Sequence, residues 1–322
     1  MKIKYVTVAE MQAIEREADA QGHTYAQMME FAGRGLAQVV QEEYGYLADE
    51  GALGLVGSGN NGGDTLVALA RLAEEGWKAT AALLRPRPTN DPLVSRLERV
   101  GGKIYFPDGA PDLEVLNGLL AEHALLLDGV LGTGFHLPLK GELARALDFT
   151  RQKIETLEKP PVVVAVDCPS GVDCDSGDCA DEVIPAQLTV TMAAVKVGLL
   201  KLPAFRYCGK IKVVGIGLDE EMPSWKEIHR TILDDKWVKE KLPARPDDGH
   251  KGTFGSVLII AGCKNYIGAG YLSAKSAYLA GCGLVTVAAV DSVQKAMGGE
   301  LPEATWVILP DREGYIAREA FD

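Results

Sequence analysis

The sequence predicts an α/β protein: a Rossmann-like, three-layer domain on a parallel sheet, followed by a second, shorter α/β unit. Three observations carry this reading. From residue 52 to about residue 220, short apolar runs alternate with segments of helical periodicity, and strands that are apolar on both faces belong to parallel sheets covered by helices. A glycine-rich loop, Gly57 to Gly63, separates the first such run from the helical pattern after it. A second succession of strand, glycine loop, helix and strand begins at His250, after a stretch of weak periodicity.

Each element has a local cause. Thr7 with Glu10 three residues on is a capping box, and Met11, Ile14 and Ala18 share one helical face behind it. A second helix runs through "TYAQMMEFAGRGLAQVVQEEYG", with Met28, Phe31, Ala32, Leu36 and Val39 at helical spacing; Gly33 and Gly35 weaken it unless another backbone packs closely there. Strands follow at "ALGLVG", "KATAALL", "KIYF", "ALLLDGV", "PVVVAVD", "AQLTVTMA" and "GKIKVVGIG". Helices begin at Asp64, Pro92, Leu113 and Gly141 in the intervals. The expected organisation is a first domain at residues 1–222, a linker at 223–249 and a second unit at 250–322 that is short for an independent α/β domain, so a truncated one is expected.

Composition narrows the function. Forty-five acidic against 33 basic residues give a formal charge of -12, which disfavours a broad nucleic-acid surface. No apolar run is long enough to span a bilayer, and the N-terminus turns polar before a signal peptide could form, so a cytoplasmic protein without a membrane partner is expected. The 6 cysteines form no C-x-x-C pair and read as free thiols.

Gly57, Gly59 and Gly62 spell G-x-G-x-x-G, which after a strand suggests a dinucleotide fold. The ribose-holding acid expected after the next strand is missing, however: Arg85 and Arg87 stand there. Asp64 reads either as a helix N-cap or as part of a loop, "NNGGD", able to hold a phosphate beside a cation. Two further strand ends pair an acid with small residues: Asp128 before Gly132, Thr133 and Gly134, and Asp167 before Ser170 and Gly171. Three such loops at the carboxyl ends of strands point to one site. Lys196, leaving a late strand, reads as a solvated strand end or as a helper to Asp167.

At these residues the sequence resembles the NAD(P)H-hydrate epimerases, through "NNGGD", "LLDGVLGTGF", "VAVDCPSGVDCDSG" and "MMEFAGRGLA" over roughly residues 5 to 220. "HKGTFGSVLIIAGCKNYIGAGYLSAKSAYLAGCGLVTVA" resembles the beginning of the ribokinase-like, ADP-dependent NAD(P)H-hydrate dehydratase domain, and the fusion resembles the bifunctional NAD(P)H-hydrate repair enzymes. The resemblance implies epimerisation of the R and S forms of NADHX and NADPHX, the hydrated dinucleotides. It implies substrate contacts from Asn60, Asn61, Gly62, Gly63 and Asp64, and from Gly132, Thr133, Gly134, Phe135, His136, Leu137 and Pro138. Asp167 would carry catalysis and also touch the substrate, while Asn61, Asp128 and Ser170 would coordinate potassium. In the second unit it implies Ala269 as a substrate contact and ADP as cofactor, although the family's G-x-G-D loop does not occur in the sequence, so only epimerisation is expected of this chain. A homo-oligomer is expected. The sequence departs from the family pattern at Thr65 and His136. The alternatives are a non-catalytic Rossmann-like module binding a nucleotide or protein, and an ordinary NAD-dependent oxidoreductase.

Overall fold

The structure, a computed structural model, describes residues 3–321, and the chain divides into two compact units between Trp237 and Val238. The first begins with a short strand, β1 (Tyr5–Val6), and two helices, α1 (Val8–Ala20) and α2 (Tyr25–Tyr44). Both helices open on complete capping boxes, Thr7 with Glu10 and Thr24 with Gln27. The alternation then runs β2 (Ala52–Val56), α3 (Asn60–Glu74), β3 (Ala79–Leu83), α4 (Pro92–Arg99), β4 (Lys103–Tyr105), α5 (Leu113–Glu122), β5 (Leu125–Gly129), α6 (Gly141–Thr156) and β6 (Val162–Val166). It closes with β7 (Leu188–Met192), β8 (Val195–Lys196), β9 (Lys210–Val214) and α7 (Pro223–Lys226), and the boundary falls within α8 (Asp235–Lys241).

Seven strands form one parallel sheet in the order β4-β3-β2-β5-β6-β7-β9. Connections run outward in opposite directions from β2 and β5, which opens a crevice beyond their carboxyl ends. Successive residues of a strand face opposite layers, so in β6 Val164 and Val166 join the core under α2 and α3, whereas Val163 and Ala165 join the core under α5 and α6. On α3, Leu66, Leu69 and Leu72 are fully buried, and truncating any of them to alanine costs about 2–5 kcal/mol by the usual cavity penalty.

The glycine stripe of α2 is explained by packing. A Cβ at Gly33 would stand 2.4 Å from the Val67 Cβ of α3, and one at Gly35 would stand 2.9 Å from the Val214 Cβ of β9. The loss of helix propensity at these positions is offset by close approach of α2 to its neighbours.

The end of the first unit differs from the sequence reading. Residues 223–232 were expected to begin a linker, yet Trp225 and Ile228 are buried in the same core as α1 and α2, and Ile232 N–H donates to Ile3 O at 2.7 Å. The stretch holds a helix of only 4 residues, too short to show a period, and two well-placed apolar side chains suffice to dock it.

The second unit carries a parallel sheet of β10 (Ser256–Ile260), β11 (Leu284–Ala289) and β12 (Thr305–Ile308), with α9 (Gly268–Leu279), α10 (Asp291–Met297) and a hairpin of β13 (Asp311–Arg312) and β14 (Tyr315–Ile316). Val285, Val287, Val293 and Ala274 form its core. Ala269 lies exposed in the first turn of α9. Among the described residues no helix is long and apolar enough to cross a membrane.

Candidate active site

The first strand-end segment is not a loop. Helix α3 begins at Asn60 with Gly59 as N-cap, so Asp64 sits inside the helix, and the N-cap reading of Asp64 is corrected. Two consecutive glycines hide this start from propensity, but each is required by close contacts. A Cβ at Gly62 would meet the Gly57 carbonyl at 2.1 Å, and one at Gly63 would meet the Met29 sulfur at 2.5 Å. Arg87, where a ribose-binding acid was expected, instead donates to Gly57 O at 2.7 Å and pairs with Asp91 at 2.7 Å, pinning the loop. Helical spacing then puts Asn61 and Asp64 on one face.

That face borders a cavity of about 100 Å³ shared with Asn60, Thr133, Asp167 and Lys196. Helix α2 adds Tyr25, Met28 and Met29, and α1 adds Glu15. Asp167 follows β6 directly with φ 63°, the left-handed region that a non-glycine residue seldom occupies. Its Oδ1 accepts from Thr191 Oγ1 at 3.0 Å, from Met192 N–H at 2.9 Å and from the Lys196 ammonium. Oδ2 has no hydrogen-bond partner among the described residues.

Lys196 is 2% exposed, so it is no solvated strand end. It belongs to β8, a two-residue strand paired with β1 that sequence reasoning missed because two residues carry no period. Its ammonium also donates to Met192 O at 3.0 Å. Burial opposes its charge, but the adjacent Asp167 carboxylate outweighs burial and holds the lysine above its ordinary pKa. The Asp64 pKa is raised too, which for a carboxyl favours the neutral form: burial first, then the nearby Asp167, push it well above the usual range. It has no hydrogen-bond partner among the described residues. The Glu15 carboxyl is also raised, chiefly by burial, with Lys196 acting against and Asp167 with the shift.

Beside the cavity lies a connected polar network. Asp128, 0% exposed near the end of β5, accepts from Ser170 N–H at 2.8 Å and from Ser170 Oγ at 2.5 Å. Ser170 Oγ in turn accepts from Leu131 N–H at 2.9 Å. The Asn61 amide nitrogen donates to Leu131 O at 3.1 Å and to Val166 O at 2.6 Å. Asn61, Asp128 and Ser170 are thus brought together, with Asn61 at the cavity edge and the other two behind it. Asp128 has no cationic partner among the described residues; burial raises its carboxyl, against the hydrogen bonds from Ser170. No group of three or more His, Cys, Asp or Glu side chains gathers as a metal site among the described residues.

The remaining candidates divide. Gly132 packs on the Asn61 side chain, where a Cβ would come within 2.6 Å of its Oδ1. Gly62 and Gly63 face protein rather than the cavity, and of the second loop only Thr133 borders it. Gly134, His136 and Pro138 are exposed, Phe135 is half-buried, and Leu137 packs on the cluster around Cys168 and Val172. Thr65, the departure in the first motif, is buried and donates to Asn61 O at 2.7 Å, in space left by Gly129, whose Cβ would stand 1.8 Å from the Thr65 hydroxyl oxygen.

Comparison with known proteins places this geometry in a family. The family model described as YjeF-related protein N-terminus matches residues 25–198, and the model described as NAD(P)H-hydrate dehydratase matches residues 257–316. The bifunctional NAD(P)H-hydrate repair enzyme Nnr of Moorella thermoacetica is 32% identical over 98% of the chain, which spans 60% of that protein's length. The NAD(P)H-hydrate epimerase of Clavibacter michiganensis is 36% identical over 66% of the chain and 89% of its own length. The crystal structure of the yeast protein ynu0 (YNL200c) shares the fold, with a TM-score of 0.55 at 22% identity, covering 66% of this chain and 87% of that one. With more than half of its residues matched by one family model, and a relative of 36% identity that it covers almost end to end, the chain belongs to the YjeF-related, NAD(P)H-hydrate epimerase family.

Proposed function

We propose that the first unit is an NAD(P)H-hydrate epimerase interconverting the R and S forms of NADHX and NADPHX. The observation that carries this is Asp167: a carboxyl at a strand tip, gripped at one oxygen by three donors and unpartnered at the other, bordering a cavity at the crevice where such sheets bind ligands. The substrate bears a hydroxyl on the carbon next to the ring nitrogen. Protonation lets that hydroxyl leave as water while the nitrogen lone pair stabilises the cation, and water then returns to either face. Asp167 Oδ2 is a group that exchanges such a proton on the face it borders. Lys196, kept charged by its pairing, fixes the carboxylate rather than accepting protons. Asn60, Asn61, Asp64 and Thr133 are the substrate-side contacts that the cavity supports.

Potassium fits the network behind the cavity. The donors are oxygens of Asn61, Asp128 and Ser170, which suit a hard cation; burial raises the Asp128 carboxyl and no described side chain offers it a positive charge, so the charge balance of its ionised form is left to a bound cation. When bound, the ion supplies that balance and fixes the three strand-end segments. For the second unit the match to the dehydratase model supports an ADP-dependent dehydratase module, with Ala269 as its substrate-side candidate. The catalytic assignment is confined to the first unit.

The test is direct. The chain is incubated with purified R hydrate and followed by chromatography; S hydrate forming faster than in an enzyme-free control is the expected result, and its absence refutes the assignment. Asp167→Asn removes turnover by about 10²–10⁴-fold, the usual contribution of a general acid–base group, while retaining hydrate binding by calorimetry.

A further inference from the structure

We propose that Glu15 is the second proton-transfer group of the epimerase site, serving the face of the nicotinamide ring that Asp167 does not reach. The assignment rests on the epimerase reading above. Inversion requires water to leave one face of a flat cation and return to the other. Asp167 cannot follow it, because its Oδ1 is held by Thr191, Met192 and Lys196 and its backbone lies in the left-handed region. A carboxyl fixed in this way serves one face.

Besides Asp167 and Glu15, the ionisable groups on the cavity wall are Lys196, Asp64 and the exposed phenol of Tyr25, phenols being neutral at physiological pH and weaker acids than carboxyls. Lys196 is committed to Asp167, Thr191 and the Met192 carbonyl. Asp64 also borders the cavity without a hydrogen-bond partner among the described residues, but it is only 6% exposed, whereas a donor that recharges from solvent needs both a place at the cavity and exposure to water. Glu15 combines both properties. It borders the cavity, it is only half-buried, and its carboxyl has no hydrogen bond or ion pair among the described residues. Its helix is held by the buried Met11, Ile14 and Ala18, so the residue is positioned by packing and not by polar contacts that catalysis would have to break. The charged groups that act on it are Lys196, Asp167 and Arg16, with Asp64 coupled to it in turn. Burial moves its carboxyl toward the protonated form, as a proton donor requires. Glu15 also lies before residues 25–198, the span matched by the family model.

The step balances. Protonated Glu15 gives its proton to the ring hydroxyl, the carbon–oxygen bond breaks, water departs, and the nitrogen lone pair completes the carbon–nitrogen double bond. A second water attacks the opposite face, forms the new carbon–oxygen bond and releases its proton to Asp167 Oδ2. The reverse direction retraces the same steps, and solvent returns the proton from Asp167 to Glu15.

The experiment uses Glu15→Gln and Glu15→Asp in heavy-oxygen water with each purified epimer, measuring label uptake and inversion separately against enzyme-free controls. Wild type takes up label with inversion. In Glu15→Gln inversion falls about 100-fold, the lower end of general acid–base contributions, while one epimer still exchanges its hydroxyl with retained configuration through Asp167 alone. Glu15→Asp recovers part of the inversion. The ratio of inversion to exchange within one sample is insensitive to the fraction of folded protein. Inversion at the wild-type rate in Glu15→Gln, or exchange and inversion lost in the same proportion, overturns the assignment to Glu15 alone. A wild-type chain that converts neither epimer overturns the epimerase reading and this assignment with it.

Discussion

Asp128 and Asp167 leave the carboxyl ends of the neighbouring strands β5 and β6, both nearly inaccessible to water, yet Asp128 meets only neutral donors while Asp167 meets a lysine. At Asp167 the charge is balanced inside the protein, one carboxylate oxygen is occupied, and the other is left for chemistry. At Asp128 both oxygens are engaged by Ser170 and no charge balance comes from any described side chain. A paired acid can work at a cavity with its charge settled. An acid given only neutral donors is where the proposed potassium would supply the missing charge.

The largest expected effect comes from breaking the first arrangement. Lys196→Met removes the cation and leaves Asp167 buried with one fewer partner, and loss of one member of a buried pair costs about 3–5 kcal/mol. Denaturant unfolding of the first unit reads this as a lower midpoint at unchanged slope. A loss under about 1 kcal/mol, the range of exposed pairs, would show that the pair is not buried in solution. The second arrangement is broken by exchanging potassium for a large organic cation. A ligand bound only by the folded state stabilises it by about 2.7 kcal/mol at a hundredfold excess over its dissociation constant. Potassium is therefore expected to raise the melting temperature of wild type but not that of Asp128→Asn. Equal responses of the two proteins would remove the ion from the network.

These contrasts show what the sequence could and could not reveal. The seven-strand sheet was legible because its central strands are short, doubly apolar runs alternating with helical periods, and Asp128 and Asp167 were legible because they break those runs. Lys196 was not: its strand is two residues long, and its burial depends on Asp167, 29 residues away. Glu15 was hidden as well, since on a helix with Met11, Ile14 and Ala18 inward it reads as one more polar residue of the solvated face. The start of α3 was obscured by Gly62 and Gly63, whose helical conformation is enforced by contacts with Gly57 and Met29. What local periodicity encodes could be read, and what distant contacts impose could not.

A smaller effect separates the two acids further. Ser170→Ala keeps the backbone N–H bond to Asp128 but removes the hydroxyl that bridges Asp128 and Leu131. Loss of a hydrogen bond to a charged group costs about 1.5–3 kcal/mol, and if Ser170 is also a ligand of the proposed potassium, part of the loss is not recovered by adding the ion. Thermal unfolding with and without potassium checks this; a loss that potassium restores in full would mean that Ser170 holds Asp128 but not the ion.

The smallest effect concerns a third acid that is neither paired nor placed for an ion. Asp64 has its carboxyl pushed well above the ordinary range by burial and by Asp167, so the folded state holds a proton that the unfolded chain releases at lower pH. The folded state then binds more protons, and the stability this contributes is complete below the unfolded pKa, about 3.9 for an aspartate, and is lost as pH rises toward the folded value. Asparagine mimics the protonated acid without titrating. Asp64→Asn is therefore expected to melt close to wild type near pH 4 and above wild type at alkaline pH, with the gap widening as pH rises. Glu15 is raised in the same direction and acts on Asp64, so the comparison is repeated in the Glu15→Gln background, where the same widening gap is expected. Melting temperatures of the two proteins across about pH 4 to 9 supply the measurement. A gap that stays constant or narrows with pH would mean that Asp64 is ionised in the folded state, and that the cavity carries a negative charge which its one lysine, already committed to Asp167, does not balance.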